Sequence, residues 1–307
     1  MILVHGILAD TMIELMCARL NDLGYEYLLL DETQVPERFQ ISWTASASGI
    51  SGHISAGTRR VDLADVTGIY ARYVARRDGK RREGLNEREE ELIRAEYQAA
   101  MMHLIDSLPC VVVNRVRAST SNDSKLYQQF LIQEFGLLTP RTLVTTVPEE
   151  AVAFYEACNK KVIFKSLSSV RSIVRLLQED DLPRLELVKN CPTQFQEVVE
   201  GPDIRVHTVG DEVFATEMVS DADDYRYAAR DGHSLDARPI EVPPEIAAAC
   251  LGLTKACGLA IAGIDLRRTP EGQYYCFEIN PSPGFIFYER IARQPISEAV
   301  ARLLRGS

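Results

Sequence analysis

The stretch GIDLRRTPEGQYYCFEINPSPG, residues 263–284, decides the fold of this 307-residue chain. Its two ends have the apolar pattern of β-strands, and Thr269–Gly272 between them has the composition of a tight turn. The strands are therefore predicted to be antiparallel neighbours. Asp265 and Glu278, each flanked by apolar residues, can then face each other, and Asn280 lies two residues beyond Glu278 on the same strand face.

Two carboxylates and an amide oxygen that meet at one point make a site of hard oxygen ligands. Carboxylates in a buried strand are costly unless a cation or hydrogen bonds compensate them. Mg²⁺ accepts a few protein oxygens and completes its shell with water and phosphate. We therefore predict that Asp265, Glu278 and Asn280 bind Mg²⁺. A pair of solvated edge acids is the alternative, against which the apolar flanks and the stiff turn Pro281–Gly284 argue.

Two lysines supply the matching positive charge. Lys125 lies in the first turns of a predicted helix, and Lys165 ends the apolar strand VIFK. A lysine at the end of a buried strand is expensive unless it meets an anion. Beside a Mg²⁺ site, the two lysines are predicted to clamp the phosphates of ATP, whereas either one alone would more often be a surface residue. The loop Ser166–Ser172 that follows has hydroxyls and Arg171 but no glycine, which makes it weak support for a phosphate loop.

The segment QFQEVVEGPDIRVHTVG, residues 194–210, supplies the remaining candidate residues. The end of its first strand has a backbone that can pair with an adenine edge, and the next strand starts with an acid. The predicted nucleotide-binding residues here are Gln196, Glu197, Val198, Val199 and Asp203.

Two arginines are predicted to act on the reacting groups. Arg205 lies between Ile204 and Val206 in a strand, so its guanidinium needs a fixed anionic partner. A structural salt bridge is the alternative to a catalytic role. Arg226, in a polar loop, is predicted to hold a substrate carboxylate through two hydrogen bonds.

The bulk composition excludes several classes of protein. A net charge of −10 argues against a general nucleic-acid or membrane-surface binder, since both partners are negative. No apolar run approaches the roughly 20 residues that cross a bilayer. The seven cysteines are odd in number and scattered without a CxxC pair, which favours a cytoplasmic protein over a disulfide-bonded one. The five histidines form no Ser/His/Asp grouping.

The order of predicted elements divides the chain into three modules: residues 1–114, 115–190 and 191–307. The first alternates strands and helices and includes a long helix capped by Asn86. The second starts with a helix whose predicted caps are Ser121–Asp123. The third is rich in strands, with a polar loop leading to a helix at Pro244 and one short helix at the carboxyl end.

In this order, Lys125, Lys165, QEVVEG, DIR, Asp265 and FEINPSPG resemble the ATP-grasp superfamily. Within it the chain is similar to the ribosomal-protein-S6 glutamate ligases and, more closely, to the ligases that macrocyclise ribosomal peptides of the microviridin or graspetide type. The second resemblance includes TGIYARYVARR (residues 67–77) and RAEYQAAMMHLIDSL (residues 94–108). It implies an α/β and α+β architecture: a PreATP-grasp-like N-terminal module before a central and a C-terminal ATP-grasp subdomain.

The resemblance also implies an activity. ATP and Mg²⁺ would activate a substrate carboxylate as an acyl phosphate, and an amine or a hydroxyl would then form an amide or an ester. The expected substrate bears a carboxylate, and a short precursor peptide is one form that it can take. A small-molecule or glutamate-type ligase and an inactive ATP-binding regulator are the alternatives. Members of this superfamily often self-associate, so a homo-oligomer is a further expectation.

Overall fold

The structure is a computed structural model that describes residues 1–35, 38–73, 84–120, 124–167, 174–220 and 235–306, without the side chains of residues 219, 220, 235 and 236. Its strands form four sheets. Within the described part of the chain, none of the helices is long and apolar enough to span a membrane.

The N-terminal part alternates strands and helices, as predicted. Its elements are β1 (Ile2–Gly6), α1 (Thr11–Asp22), β2 (Tyr27–Asp31), β3 (Phe39–Ser46), β4 (Gly49–Ala56), β5 (Arg59–Asp62), β6 (Gly68–Ala71), α2 (Glu87–Ser107) and β7 (Val111–Val113). A parallel sheet has the order β2-β1-β6-β7, and β3-β4-β5 form a separate antiparallel sheet. Asn86 caps α2 through a capping box with Glu89, which confirms the predicted start of that helix.

The central part is a four-stranded antiparallel sheet covered by helices. Its elements are α3 (Val116–Ser119), α4 (Lys125–Glu134), β8 (Thr142–Thr145), α5 (Pro148–Ala157), β9 (Val162–Lys165), β10 (Arg175–Leu176), a 3₁₀ segment (Glu179–Asn190) and β11 (Thr193–Glu197). The strand order is β10-β9-β11-β8. Ser124, rather than the predicted Ser121–Asp123, caps α4, because its side chain accepts the Tyr127 N–H.

The C-terminal part is a five-stranded antiparallel sheet with the order β14-β13-β12-β15-β16. Its elements are β12 (Asp203–Val209), β13 (Glu212–Ser220), β14 (Leu235–Ile240), α6 (Pro244–Ala256), β15 (Ile261–Arg268), β16 (Tyr274–Asn280), α7 (Ile286–Ala292) and α8 (Ile296–Arg305). Two predictions were wrong here. Part of the expected polar loop is strand β14, and two helices rather than one close the described chain.

The last helix connects the two ends of the chain. Ile296, Val300 and Leu304 of α8 pack in one apolar core with Ile13 and Met16 of α1. The opposite face of the parallel sheet packs against α2 and the β3-β4-β5 sheet. The N-terminal sheet is therefore attached to the C-terminal part through a shared core, which brings the carboxyl ends of its strands close to the turn after β16. The three-module division of the chain stays a prediction.

Candidate active site

The predicted acids lie opposite each other on β15 and β16. Asp265 is the cross-strand partner of Glu278, and Gly263 is the partner of Asn280, so all three predicted metal ligands share one face of the sheet. Both acids are half-buried rather than fully buried, because the apolar core lies against the other face. The predicted juxtaposition of the three oxygen-bearing side chains is present.

A β-bulge makes this arrangement possible. The register slips between Asp265 and Leu266, so that Leu266 pairs with Cys276 and Phe277 is the extra residue. Strict alternation would put Cys276 and Glu278 on the same, buried face. The additional residue changes the phase, so Cys276 and Ile279 are buried while Glu278 faces outward. Bulges of this kind are frequent beside active sites because they redirect a side chain.

Arg205 is the buried cation of this face. It is the cross-strand partner of Asp265 on β12, and its Nη1 donates to Asp265 Oδ1 at 2.6 Å. The side chain of Arg205 is 7% exposed and that of Asp265 is 21% exposed. A Cβ built on Gly263 would lie 2.0 Å from Arg205 Nη2, so glycine is required there for the guanidinium to fit. Arg205 thus has the anionic partner expected from the sequence, and that partner is a predicted metal ligand.

Asp203, predicted to bind nucleotide, forms the neighbouring ion pair on the same two strands. Its Oδ1 accepts from Arg267 Nε at 2.8 Å and from Nη2 at 2.6 Å. Arg267 Nη1 donates to the carbonyl of Val199 at 2.8 Å, and its guanidinium stacks on the Phe277 ring. Asp203 therefore anchors the chain next to the predicted adenine segment.

The donor set of the acidic face fits Mg²⁺. No cluster of three His, Cys, Asp or Glu side chains suited to a metal occurs among the residues that the structure describes. Two carboxylates and one amide oxygen are instead the partial shell that Mg²⁺ takes in phosphate-binding sites, with nucleotide and water as the other ligands. Asp265 can serve both Arg205 and a cation because a carboxylate has two oxygens.

One face of the central sheet carries the predicted nucleotide-binding side chains. Lys165 pairs with Gln194 and Ile163 with Gln196, and cross-strand partners share a face. Gln196 is buried and donates to Thr142 Oγ1 at 3.0 Å, while its Oε1 accepts no hydrogen bond from the described part of the chain. A buried amide oxygen left unpaired is costly, so this face fits a ligand that donates a hydrogen bond, such as the amino group of adenine.

The adjoining backbone is partly occupied. The N–H of Glu197 donates to the Arg141 carbonyl and that of Val198 to the Lys161 carbonyl, both at 3.0 Å. The Glu197 carboxylate is held by the Arg141 backbone N–H and guanidinium. No hydrogen bond between described residues uses the Val199 N–H. Within the described part of the chain, Val199 is thus the predicted adenine-binding backbone donor that is still open.

Helix α4 links the two sheets through adjacent glutamines that the sequence reasoning missed. Gln128 is buried and pairs with the backbone of Ile279, donating to its carbonyl at 2.8 Å and accepting its N–H at 3.3 Å. The side-chain amide of Gln128 thus makes the two hydrogen bonds with β16 that the backbone of a neighbouring strand would make. Gln129 donates to Thr142 Oγ1 at 3.0 Å on the central sheet. The half-buried Lys125, at the first helical position, is fixed by the same helix.

Two of the predicted elements fall on residues that the structure does not describe. Arg226 lies outside the described residues, as does Arg171 with the rest of the loop beyond Leu167.

A cavity of about 790 Å³ beside β2 in the N-terminal part is lined by none of the predicted site residues. A second, of about 290 Å³, lies on the other face of the central sheet, over Phe164 and Phe195 and beside the 3₁₀ segment.

An acidic face with a buried arginine, two lysines on a second antiparallel sheet and helix, and a parallel α/β module define an ATP-grasp ligase. The family model of the RimK-like ATP-grasp domain matches residues 121–304, more than half of the chain. The chain therefore belongs to the RimK-like ATP-grasp family, whose reactions use ATP and Mg²⁺. It has the ATP-grasp fold with a PreATP-grasp-like N-terminal module, as predicted.

Known relatives agree on a ligase. The α-aminoadipate–LysW ligase LysX of Sulfurisphaera tokodaii is 25% identical over 210 residues, 65% of this chain and 73% of LysX. A RiPP-associated ATP-grasp ligase of Chryseobacterium gregarium, solved with ADP and a leader and core peptide, aligns over 99% of this chain and 96% of its own, with a TM-score of 0.81 and 23% identity. The ATP-grasp ligase PsnB, solved with minimal precursor, Mg and ADP, aligns over 99% and 96%, with a TM-score of 0.78 and 25% identity.

Proposed function

We propose that this ligase activates a side-chain carboxylate of a ribosomal peptide and joins it to an amine or a hydroxyl of the same peptide. The observation that carries the proposal is the cross-strand pair Asp265–Glu278 with Arg205 on the adjoining strand. This arrangement supplies both a cation-binding face and a buried positive charge, which are the two requirements for phosphoryl transfer to a carboxylate.

The first half-reaction follows from the charges on the two sheets. Lys125 and Lys165 are assigned to the ATP phosphates, and the Val199 N–H and Gln196 Oε1 to adenine. Asp265, Glu278 and Asn280 would hold Mg²⁺, which would neutralise part of the phosphate charge. A substrate carboxylate oxygen attacks the γ-phosphorus, the bond to the β–γ bridging oxygen breaks, and ADP leaves with that electron pair.

The second half-reaction needs positioning more than covalent help. Arg205, and Arg226 from its loop, hold the carboxylate oxygen on which negative charge develops when the nucleophile adds to the acyl carbon. Phosphate then leaves with the electron pair of its bond to the acyl carbon, and the proton of the amine or hydroxyl passes to the released phosphate. No side chain of the protein has to form a covalent intermediate, which agrees with the dispersed histidines and cysteines.

Two observations support a peptide as the substrate. Two structural relatives that align over nearly the whole chain contain peptides: the Chryseobacterium gregarium ligase was solved with a leader and core peptide, and PsnB with a minimal precursor. In addition, the cavity over Phe164 and Phe195 has an apolar floor and a rim that includes Arg175 and Asp181. It lies on the face opposite the nucleotide residues, where it can hold apolar side chains of a peptide away from the reacting carboxylate.

A second candidate is the addition of an amino acid to a carboxylate, which the similarity to LysX favours. The products separate the two: macrocyclisation removes one water from the peptide per bond formed, whereas ligation adds the mass of an amino acid residue. Mass spectrometry of a Ser/Thr- and Asp/Glu-rich peptide encoded beside the gene, incubated with enzyme and ATP, decides between them.

The activity itself is tested with the double variant Asp265→Asn/Glu278→Gln. We expect it to bind Mg²⁺–ATP poorly and to release no ADP with the peptide, while wild type turns over. Turnover by the double variant would overturn the assignment of the acidic face. Absence of ADP release from the wild type with every carboxylate substrate tried would instead favour an inactive ATP-binding regulator.

A further inference from the structure

A short series of hydrogen bonds connects the N-terminal sheet to the acidic face. Arg72 directly follows β6, and its Nη1 donates to Ser282 Oγ at 3.1 Å. The backbone N–H of Ser282 in turn donates to Asn280 Oδ1 at 2.8 Å. The N-terminal module thus reaches the amide of a candidate metal ligand through one intervening serine.

Arg72 is held firmly enough to transmit an orientation. Its Nε lies 3.3 Å from Asp10 Oδ1 in an ion pair that is largely buried. Asp10 is itself fixed as the cap of α1, where Oδ1 accepts the Met12 N–H at 2.8 Å. The backbone N–H of Arg72 donates to the His5 carbonyl at 2.9 Å and so extends the pairing of β6 with β1. Both ends of the arginine are therefore anchored in the N-terminal sheet and helix.

The Ser282 N–H decides which atom of the Asn280 amide can face a cation. An amide oxygen has two lone pairs, so Oδ1 can accept this N–H and still bind a metal. A flipped amide would direct its NH₂ group both at the Ser282 N–H and at the cation, and both contacts would be repulsive. Any group that keeps Ser282 in place therefore keeps the oxygen in the metal site.

We propose that Arg72 is a positioning residue for the Mg²⁺ site: through Ser282 it holds the Asn280 oxygen toward Asp265 and Glu278. The inference rests on the metal site of the proposed function and adds a role for the N-terminal module. The acidic face becomes fully competent for Mg²⁺ only when the N-terminal sheet is docked on the turn after β16. Partners that orient ligand side chains typically change metal affinity tenfold to a hundredfold.

A matched control exists on the same pair of modules. Arg19 of α1 makes the same type of contact, donating to Ser297 Oγ at 2.8 Å and to Glu289 Oε1 at 3.0 Å. It joins the N-terminal helix to α7 and α8 but has no contact with the turn after β16 among the described residues. Substitution of Arg19 therefore also removes an arginine contact between the N-terminal and C-terminal parts, but it leaves the surroundings of Asn280 unchanged.

The experiment measures Mn²⁺ affinity by EPR on the full chain with saturating ADP, together with the melting temperature. We expect Arg72→Met and Ser282→Ala each to weaken Mn²⁺ binding by about tenfold or more. The double variant should be no weaker than the worse single one, because both act through one contact. Arg19→Met should lower the melting temperature and leave Mn²⁺ affinity within about twofold.

The variant Asn280→Ala tests the proposed metal site separately from the positioning role of Arg72. If Asn280→Ala binds Mn²⁺ like wild type, the proposed metal site is wrong and the role of Arg72 falls with it. If Asn280→Ala is weak but both Arg72→Met and Ser282→Ala keep wild-type affinity, the metal site stands and the positioning role is overturned. Should Arg72→Met fail to fold, Ser282→Ala alone decides, since it removes only one exposed hydroxyl.

Discussion

Two Arg–Asp pairs lie two residues apart on the same strands, yet they differ in what surrounds them. Arg205 on β12 pairs with Asp265 on β15, and Arg267 on β15 pairs with Asp203 on β12. The second pair is tied to its surroundings: the third nitrogen of the Arg267 guanidinium, Nη1, donates to the Val199 carbonyl, and the guanidinium stacks on Phe277. The first pair faces an additional acid, since Glu278 lies opposite Asp265.

The difference is one of local charge. Arg267 and Asp203 neutralise each other, and Arg267 also holds the carbonyl of Val199 in the predicted adenine segment. Arg205, Asp265 and Glu278 together carry one positive and two negative charges, and no described basic side chain pairs with Glu278. Half-buried charge of this kind suits an external cation. A buried ion pair alone is thus weak evidence for an active site. The additional negative charge of Glu278 beside the Arg205–Asp265 pair is stronger evidence.

Matched substitutions of the two aspartates test this contrast most strongly. Asp265→Asn should lower the rate of ADP release by about a hundredfold to a thousandfold, the usual cost of removing one electrostatic stabiliser of a transition state. Asp203→Asn should leave the rate within about tenfold and lower the free energy of unfolding by about 1–3 kcal/mol, because Arg267 loses its partner. Steady-state kinetics and urea denaturation of both variants provide the comparison. Equal rate losses at the two positions would show that the pairs do not differ in function.

Substitutions of Gly263 and Gly284 test whether the position of the Arg205 guanidinium matters for the reaction. A Cβ on Gly263 would lie 2.5 Å from Arg205 Cζ and 2.7 Å from Pro283 Cβ, so Gly263→Ala must displace the guanidinium. A shift of about 1 Å near a reacting group can cost about a hundredfold in rate. Gly284→Ala is the control, because no described atom outside its chain neighbours would lie within 4 Å of a Cβ at that position. We expect kcat to fall for Gly263→Ala only; an unchanged kcat there would remove Arg205 from the chemistry.

The outline of this site could be read from the sequence because it depends on local patterns. Alternating strands around Thr269–Gly272 were enough to predict the hairpin and the pairing of Asp265 with Glu278. The bulge at Phe277 could not be predicted from the assumed regular alternation, although the spacing of Cys276 and Ile279, three residues apart, is its signal. The acids are consequently half-buried where full burial was expected.

Contacts between distant segments were beyond the sequence reasoning. Nothing local in the segment SNDSKLYQQF indicates that Gln128 would pair with the backbone of Ile279, 151 residues away. Likewise, nothing in the segment DIR indicates that Asp203 pairs with Arg267, 64 residues further on, and its predicted role at the nucleotide stays a prediction. The register of the sheet determines such pairs, and register follows from the whole core rather than from a motif. Strand β14 was missed because the preceding polar residues hid its start.

The smallest effect concerns His207, which shares its strand with both pairs. Burial, and then the charge of Arg205, hold the pKa of His207 well below its ordinary value of 6.5. Below pH 6.5 the unfolded chain takes up a proton that the folded chain refuses, so stability falls as the pH falls, by about 1.4 kcal/mol per pH unit for one such group. His207→Leu should therefore lose less stability than wild type between pH 6.5 and 5, with little change in activity at neutral pH. His103→Leu, at an exposed position, is the control and should keep the wild-type slope in urea denaturation. Equal slopes for wild type and His207→Leu would mean that the strand carrying Arg205 admits the proton after all, and that this face of the sheet is more open to water than the Arg205–Asp265 pair requires.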